Sequence, residues 1–413
     1  MTAHFLLGVA MAALLAAVPA AAETIAITNA RVATLGPAGI VEDGTVVIRG
    51  ERIESVAGGG AVPNDARVVD AAGRWVTPGI FNPFSQLGLV EVVAFANAND
   101  SKAESSVYSA GIEVRFGLNP RVSSIAAARA AGITRSAAFP ATSSRIFGGY
   151  GALVEMSGGD EILFKPRALQ WVELGNAGVR NGGGSRGAVW TQLLDAFYQA
   201  QTDGACTNGP ECTWTRVDLD AFRLVLAGHV PLVVHVERVA DIRNVLALRD
   251  RYPKLKLVLA GASEGWMMAE DIARAGVPVI VSAFNSVPYS FEMLAATREN
   301  AARLDRAGVL VAISPDRTPS IPMIGKIRQA AGVAVAHGMP WEAGLQAIML
   351  NPARIYGMEE QLGSIEEGKL ADLVIWDGDP LELSTDPVAV FVNGREVSLT
   401  TRQTELRDRY LGR

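Results

Sequence analysis

Histidine is scarce in this chain, with four among 413 residues, one of them at position 4. A centre that needs several imidazoles is therefore hard to assemble. Cysteine is scarcer, with only Cys206 and Cys212, in the polar stretch Ala205-Cys206-Thr207-Asn208-Gly209-Pro210-Glu211-Cys212. Their spacing does not suit a zinc knuckle, and the Gly-Pro turn between them predicts a local disulfide in an oxidising compartment. There is no basic run and the net charge is −6, which leaves no electrostatic case for nucleic acid. The one long apolar run without charge, Phe5 to Val18, is followed by Pro19 and the small residues Ala20-Ala21-Ala22. It falls short of the roughly 20 apolar residues of a membrane span, so residues 1–22 read as a secretory signal peptide, although no Lys or Arg precedes the run. A periplasmic or secreted mature chain is expected, with no stable membrane span.

What is present is an ordinary globular composition, 49% hydrophobic and 19% charged, long enough for one large domain and a smaller one. From Thr24 to about Trp75, short apolar runs such as Ile25-Ala26-Ile27 and Thr45-Val46-Val47-Ile48 alternate with turn residues. The same texture returns in Leu373-Val374-Ile375-Trp376 and Val388-Ala389-Val390-Phe391-Val392. Two β-rich ends around one middle predict a composite β-sandwich, residues 23–75 with 359–413. In the middle, helical patterns at 123–131, 187–201, 217–227, 239–251, 264–275, 290–306 and 321–335 alternate with strand patterns at 133–138, 231–236, 255–260, 277–283 and 309–314. Repeated β-then-α order predicts an α/β fold with a parallel sheet, closed into a (β/α)8 barrel over residues 76–358; a doubly wound sheet is the alternative. Phe147-Gly148-Gly149-Tyr150-Gly151 reads as a tight loop at the barrel mouth, not a phosphate loop. Asn181-Gly182-Gly183-Gly184-Ser185 reads as a flexible connection before a helix, and no serine-hydrolase elbow is expected.

Two further stretches are more specific. Val76-Thr77-Pro78-Gly79-Ile80-Phe81-Asn82-Pro83-Phe84-Ser85-Gln86-Leu87-Gly88 resembles the first barrel strand of the amidohydrolase superfamily. Asn351-Pro352-Ala353-Arg354 and the run Gly368-Lys369-Leu370-Ala371-Asp372-Leu373-Val374 resemble the closing signature of the same family, nearest to its exported, imidazolonepropionase-like members. The resemblance covers essentially the whole mature chain and implies a TIM barrel with a composite sandwich, C–N bond hydrolysis and a divalent metal centre. On that register the two histidine positions of the first strand fall on Phe84 and Gln86, and the preceding aspartate position on Asn82. Neither a phenyl ring nor a neutral amide replaces an imidazole ligand. The sixth-strand histidine position falls on Ala260, whereas the fifth-strand histidine and the eighth-strand aspartate are retained as His235 and Asp316.

His229 precedes a strand, which puts it at the barrel end opposite the active site, and His337 sits at a helix C-terminus before Gly338. If the fifth strand remains extended, Glu237 shares a face with His235. The fourth-strand ligand has no clear counterpart, although Glu173 lies close to where it is sought. The expected site therefore has Asp316, His235 and Glu237 in catalytic roles, and Asn82, Phe84 and Gln86 facing a small-molecule ligand in the barrel mouth. It takes no cofactor, or one weakly bound zinc-class metal on His235 and Asp316. Two functions follow: a divergent C–N hydrolase, or a catalytically inactive barrel that binds a ligand or assembles with partners, homo-oligomer formation included.

Overall fold

The computed structural model describes residues 23–92, 95–202, 213–284, 286–315 and 323–412. Five strands open the chain: β1 (Thr24–Ala33), β2 (Ile40–Arg49), β3 (Arg52–Gly58), β4 (Arg67–Asp70) and β5 (Trp75–Pro78). Eight more build the barrel: β6 (Ile80–Ser85), β7 (Ile133–Ala138), β8 (Phe147–Glu155), β9 (Leu163–Glu173), β10 (Leu232–Val236), β11 (Leu257–Gly261), β12 (Val279–Ser282) and β13 (Val311–Ser314). Three close the chain: β14 (Leu373–Trp376), β15 (Pro387–Val392) and β16 (Arg395–Glu396).

The sandwich is composite, as its two-ended texture predicts. Strand β14 pairs antiparallel with β5, Leu373 opposite Pro78 and Trp376 opposite Trp75, so the C-terminal strands complete the sheet begun by the N-terminal ones. Its core is built from Ile25, Ile27, Val46, Ile48, Leu373, Ile375 and Phe391. The sheet runs on to Pro78. At that junction Gly79 is needed for close approach, since a Cβ there would lie 2.2 Å from Thr134 Oγ1.

Strands β6 to β13 follow one another around the barrel in chain order. One departs from the expected parallel order: β8 is antiparallel to both β7 and β9. The Gly-rich stretch at 147–151 begins this strand, so it is not a loop. Its glycines let backbones meet; a Cβ on Gly149 would lie 2.5 Å from Ile112 O. The seam between β13 and β6 is bridged by the segment after helix 341–346, where Ala347 O accepts from Ile313 N and Ile348 O from Phe81 N, both at 2.9 Å. Asn351 of the closing signature adds an Nδ2 bond of 2.8 Å to Val311 O in β13.

Helices cover the outside, at 123–130, 186–201, 216–226, 239–251, 269–275 and 327–336 among others. The expected helix 290–306 is reduced to Asn300–Arg306. In the preceding segment Met293 is buried but its neighbours Phe291 and Leu294 are exposed, so little apolar surface there is buried to sustain a helix. Among the described residues no helix is long and apolar enough to cross a membrane.

Candidate active site at the barrel mouth

The parallel register of β9 and β10 sets His235 directly beside Glu173 at the C-terminal ends of the fourth and fifth barrel strands. Barrel enzymes place their chemistry at this end. His235 Nδ1 lies 2.7 Å from Glu173 Oε1, which also accepts the Gly175 N–H at 3.0 Å. On the other side of the ring, Nε2 is 3.3 Å from Glu237 Oε1, as strand alternation anticipates. That contact is an ion pair without hydrogen-bond alignment, so Nε2 and Oε1 are both left without a hydrogen-bond partner among the described residues. Glu237 Oε2 is held by the Ser263 N–H at 2.9 Å.

A third carboxylate, Glu292, enters from the segment after β12. It accepts the Asn176 N–H at 2.8 Å and Arg186 Nη2 at 3.2 Å. All four side chains are buried, and the charge state of the group follows from their proximity. Burial alone would lower the His235 pKa, but the carboxylates of Glu173 and Glu237 outweigh it and hold the ring well above its ordinary value. Burial pushes Glu237 up, and the charge of His235 in the 3.3 Å ion pair, with the Ser263 N–H bond, brings it below the usual carboxylate range. Glu292 is raised, chiefly by burial, with the Asn176 N–H opposing. The picture is an imidazolium clamped between two carboxylates, with a third nearby.

Gly261 closes over this group. It sits at φ +84°, and a Cβ there would lie 2.9 Å from both Glu237 Oε1 and His235 Nε2. No larger residue fits without displacing the array.

The remaining expected residues are placed as follows. Phe84 is buried in an aromatic cluster, its ring centroid 4.6 Å from Phe139 and 5.3 Å from Trp171, which in turn stands 6.0 Å from the His235 ring. Asn82 is buried, and its Oδ1 accepts the Phe84 N–H at 3.1 Å. Gln86 is half-buried and donates from Nε2 to Ser101 Oγ at 3.0 Å. Ala260 lies opposite His235 in the β10–β11 register, buried. Asp316, Cys206 and Cys212 lie outside the described residues. Ser185 belongs to Gly183-Gly184-Ser185-Arg186-Gly187, which spells Gly-x-Ser-x-Gly, yet it follows no strand; its Oγ accepts the Ala188 N–H as the cap of helix 186–201. It is not a nucleophile elbow. Glu292 and Gly261 were not legible as site residues, the first because it comes from an irregular segment, the second because only its backbone conformation reveals it.

A divalent metal does not fit the donors described. Phe84 and Ala260 offer no lone pair, and the one imidazole of the group, His235, already has Nδ1 engaged by Glu173 Oε1. Among the described residues no three His, Cys, Asp or Glu side chains are arranged to hold a cation.

Residues 251–401 match the amidohydrolase family. The chain is 28% identical over 399 residues to an imidazolonepropionase from Aromatoleum aromaticum, covering 88% of this chain and 93% of that one. It is 25% identical over 372 residues to an amidohydrolase from Hapsidospora irregularis, covering 81% of this chain and 37% of that longer protein. The crystal structure of an amidohydrolase from Thermotoga maritima superposes with a TM-score of 0.81 at 25% identity, over 91% of this chain and 99% of that one.

Proposed function

Starting from the chain's membership of the amidohydrolase superfamily, we propose that it is a divergent hydrolase of C–N bonds in cyclic amides or related small molecules, working with a degraded metal centre. The observation that carries this reading is the Glu173–His235–Glu237 array at the catalytic end of the barrel, where ring Nε2 has no hydrogen-bond partner among the described residues. A charged, buried histidine held by two carboxylates is a proton donor. Glu173 holds the ring's orientation through Nδ1, and Nε2 is the position from which a proton reaches a departing nitrogen. Asp316 is assigned the complementary role of base. Water adds its oxygen to the carbonyl carbon and its proton passes to Asp316; the C–N bond breaks as the nitrogen leaves with the proton of His235. Asn82, Phe84 and Gln86 belong to the wall that this proposal gives the substrate. Export through residues 1–22, and a Cys206–Cys212 disulfide in the mature chain, are part of the same proposal.

A second reading is favoured by one specific observation. Phe84 packs against Phe139 and Trp171 where the family's first-strand ligand would stand, which suits a catalytically inactive barrel that binds a ligand or a partner. The two readings separate by assay. Purified mature protein is offered a panel of cyclic amides, imides and imidazolones, with chelator and with added zinc or manganese, beside His235→Gln and Asp316→Asn. Turnover that falls by about a hundredfold or more in both variants supports the hydrolase. No turnover by the parent under any metal condition sinks it in favour of the binding protein.

A further inference from the structure

The opposite end of the barrel carries a cavity of about 590 Å³. Its walls come from the N-terminal ends of strands β9 to β12 and from the segment 354–359, so it is remote along every strand from Glu173 and His235. Six cationic side chains line it: Lys165, Arg167, Arg249, Lys254, Lys256 and Arg354. Glu359 is the one carboxylate among the lining residues. Such a concentration runs against the composition, since the chain as a whole carries −6.

The charges are also poorly compensated. Arg167 is paired with Glu113. The other five make no salt bridge among the described residues: Lys165 donates to Tyr356 O, Arg249 to Ala275 O and Arg354 to Asn351 Oδ1, all neutral acceptors. Lys254 and Lys256 are exposed. Lys165 is half-buried, and burial together with the charge of Lys256 holds its pKa below the ordinary lysine value. A protein does not gain stability by gathering like charges in a concavity, and an anion bound there would relieve the repulsion. Beneath the charges lies an apolar floor of Pro231, Leu257, Val258, Ile355 and Tyr356. Low-dielectric walls of that kind focus the field of a one-signed rim on whatever enters. The mixture of apolar floor and multiple donors suits an organic anion of some size better than a halide or a single phosphate.

We propose that this cavity at the N-terminal end of the barrel is a binding site for a small organic polyanion, a molecule with at least two phosphate or carboxylate groups. His229 also lines the cavity.

The test is isothermal titration of the mature protein with inorganic pyrophosphate and, separately, with citrate, which distinguish phosphate from carboxylate recognition. Each is repeated on Lys254→Gln/Lys256→Gln, two exposed positions whose neutralisation leaves the core untouched, with a thermal melt to establish that the variant is folded. Saturable binding of either probe by the parent is expected, weakened about tenfold or more in the variant and by raised potassium chloride. No saturable binding of either probe overturns the proposal. So does equal binding by parent and folded variant, which would put the anion elsewhere. Should the double variant fail to fold, Lys254→Gln alone is compared, with about a threefold or greater loss expected and no loss refuting.

Discussion

Replacing Asp372 by alanine should destabilise the protein by about 3 to 5 kcal/mol, because it strips a buried arginine of its main counter-charge. Arg135 is 1% exposed, at the interface of barrel and sandwich. Its Nε and Nη2 reach Asp372 Oδ2 and Oδ1 at 2.6 and 3.1 Å, and its Nη1 reaches Glu155 Oε2 at 2.7 Å. Asp372 Oδ1 also accepts the Asn393 N–H at 2.9 Å. Two charge-assisted bonds at about 1.5 to 3 kcal/mol each give about 3 to 6 kcal/mol, which overlaps the buried-pair figure. Glu155 remains and keeps the loss from growing larger. Urea denaturation followed by tryptophan fluorescence is a suitable assay, since Trp376 adjoins the junction through its bond to Thr77 Oγ1 at 2.9 Å. The transition should shift to lower urea and split in two as sandwich and barrel uncouple. The double variant Arg135→Met/Asp372→Leu should recover much of the loss, because removing both charges leaves none unpaired. A loss under about 1 kcal/mol with one unbroken transition would refute the idea that this pair fastens the two domains.

Three further outcomes are expected. By NMR, His235 should still be protonated above pH 6.5: its folded pKa is raised above that unfolded value, so its contribution to stability is full below it and is lost only as pH climbs through the folded pKa. Glu173→Gln should bring its titration down, and a His235 that titrates at or below its unfolded value would contradict the clamp. Gly261→Ala, which forces a Cβ onto Glu237 and His235 at φ +84°, should cost about 1 to 3 kcal/mol in a thermal melt and shift the His235 resonances; an unperturbed variant would mean the group is loosely packed. Phe84→His/Gln86→His/Ala260→His should raise zinc affinity by orders of magnitude, at about 2 to 4 kcal/mol of stability for the lost aromatic packing. Unchanged zinc binding in a folded triple variant would show the family register to be wrong.

The fold was legible because its signatures are architectural. Asp372 lies in the closing run Lys369-Leu370-Ala371-Asp372 and anchors Arg135; Asn351 in Asn351-Pro352-Ala353 bonds to β13; Gly79 in Pro78-Gly79 admits Thr134. Each of these ties a motif residue to one contact of the fold. The antiparallel β8 was not legible, because its glycines suit a loop equally well and only the approach of Ile112 O distinguishes the two. At the site, Glu237 followed from strand alternation, while the partnership of Glu173 with His235 needs the register between β9 and β10, which no single-strand pattern contains. Glu292 arrives from an irregular segment and left no periodic trace.

The same division between architecture and chemistry decides what the barrel mouth can do. Phe84, Phe139 and Trp171 join β6, β9 and the end of β7 through aromatic contacts worth about 0.5 to 1.5 kcal/mol each beyond their burial, so the strand ends are fastened without a cation. What remains charged is the group around His235, and its carboxylates keep the ring in the acid form. A metal-bound water becomes a stronger nucleophile as pH rises through its own ionisation. An imidazolium donor does the reverse, losing its function as pH rises through the His235 pKa. The pH profile of any hydrolysis therefore identifies the apparatus: a rate that declines on the alkaline side and is insensitive to chelator belongs to the Glu173–His235–Glu237 array, and a rate that climbs with pH and collapses with chelator belongs to a metal.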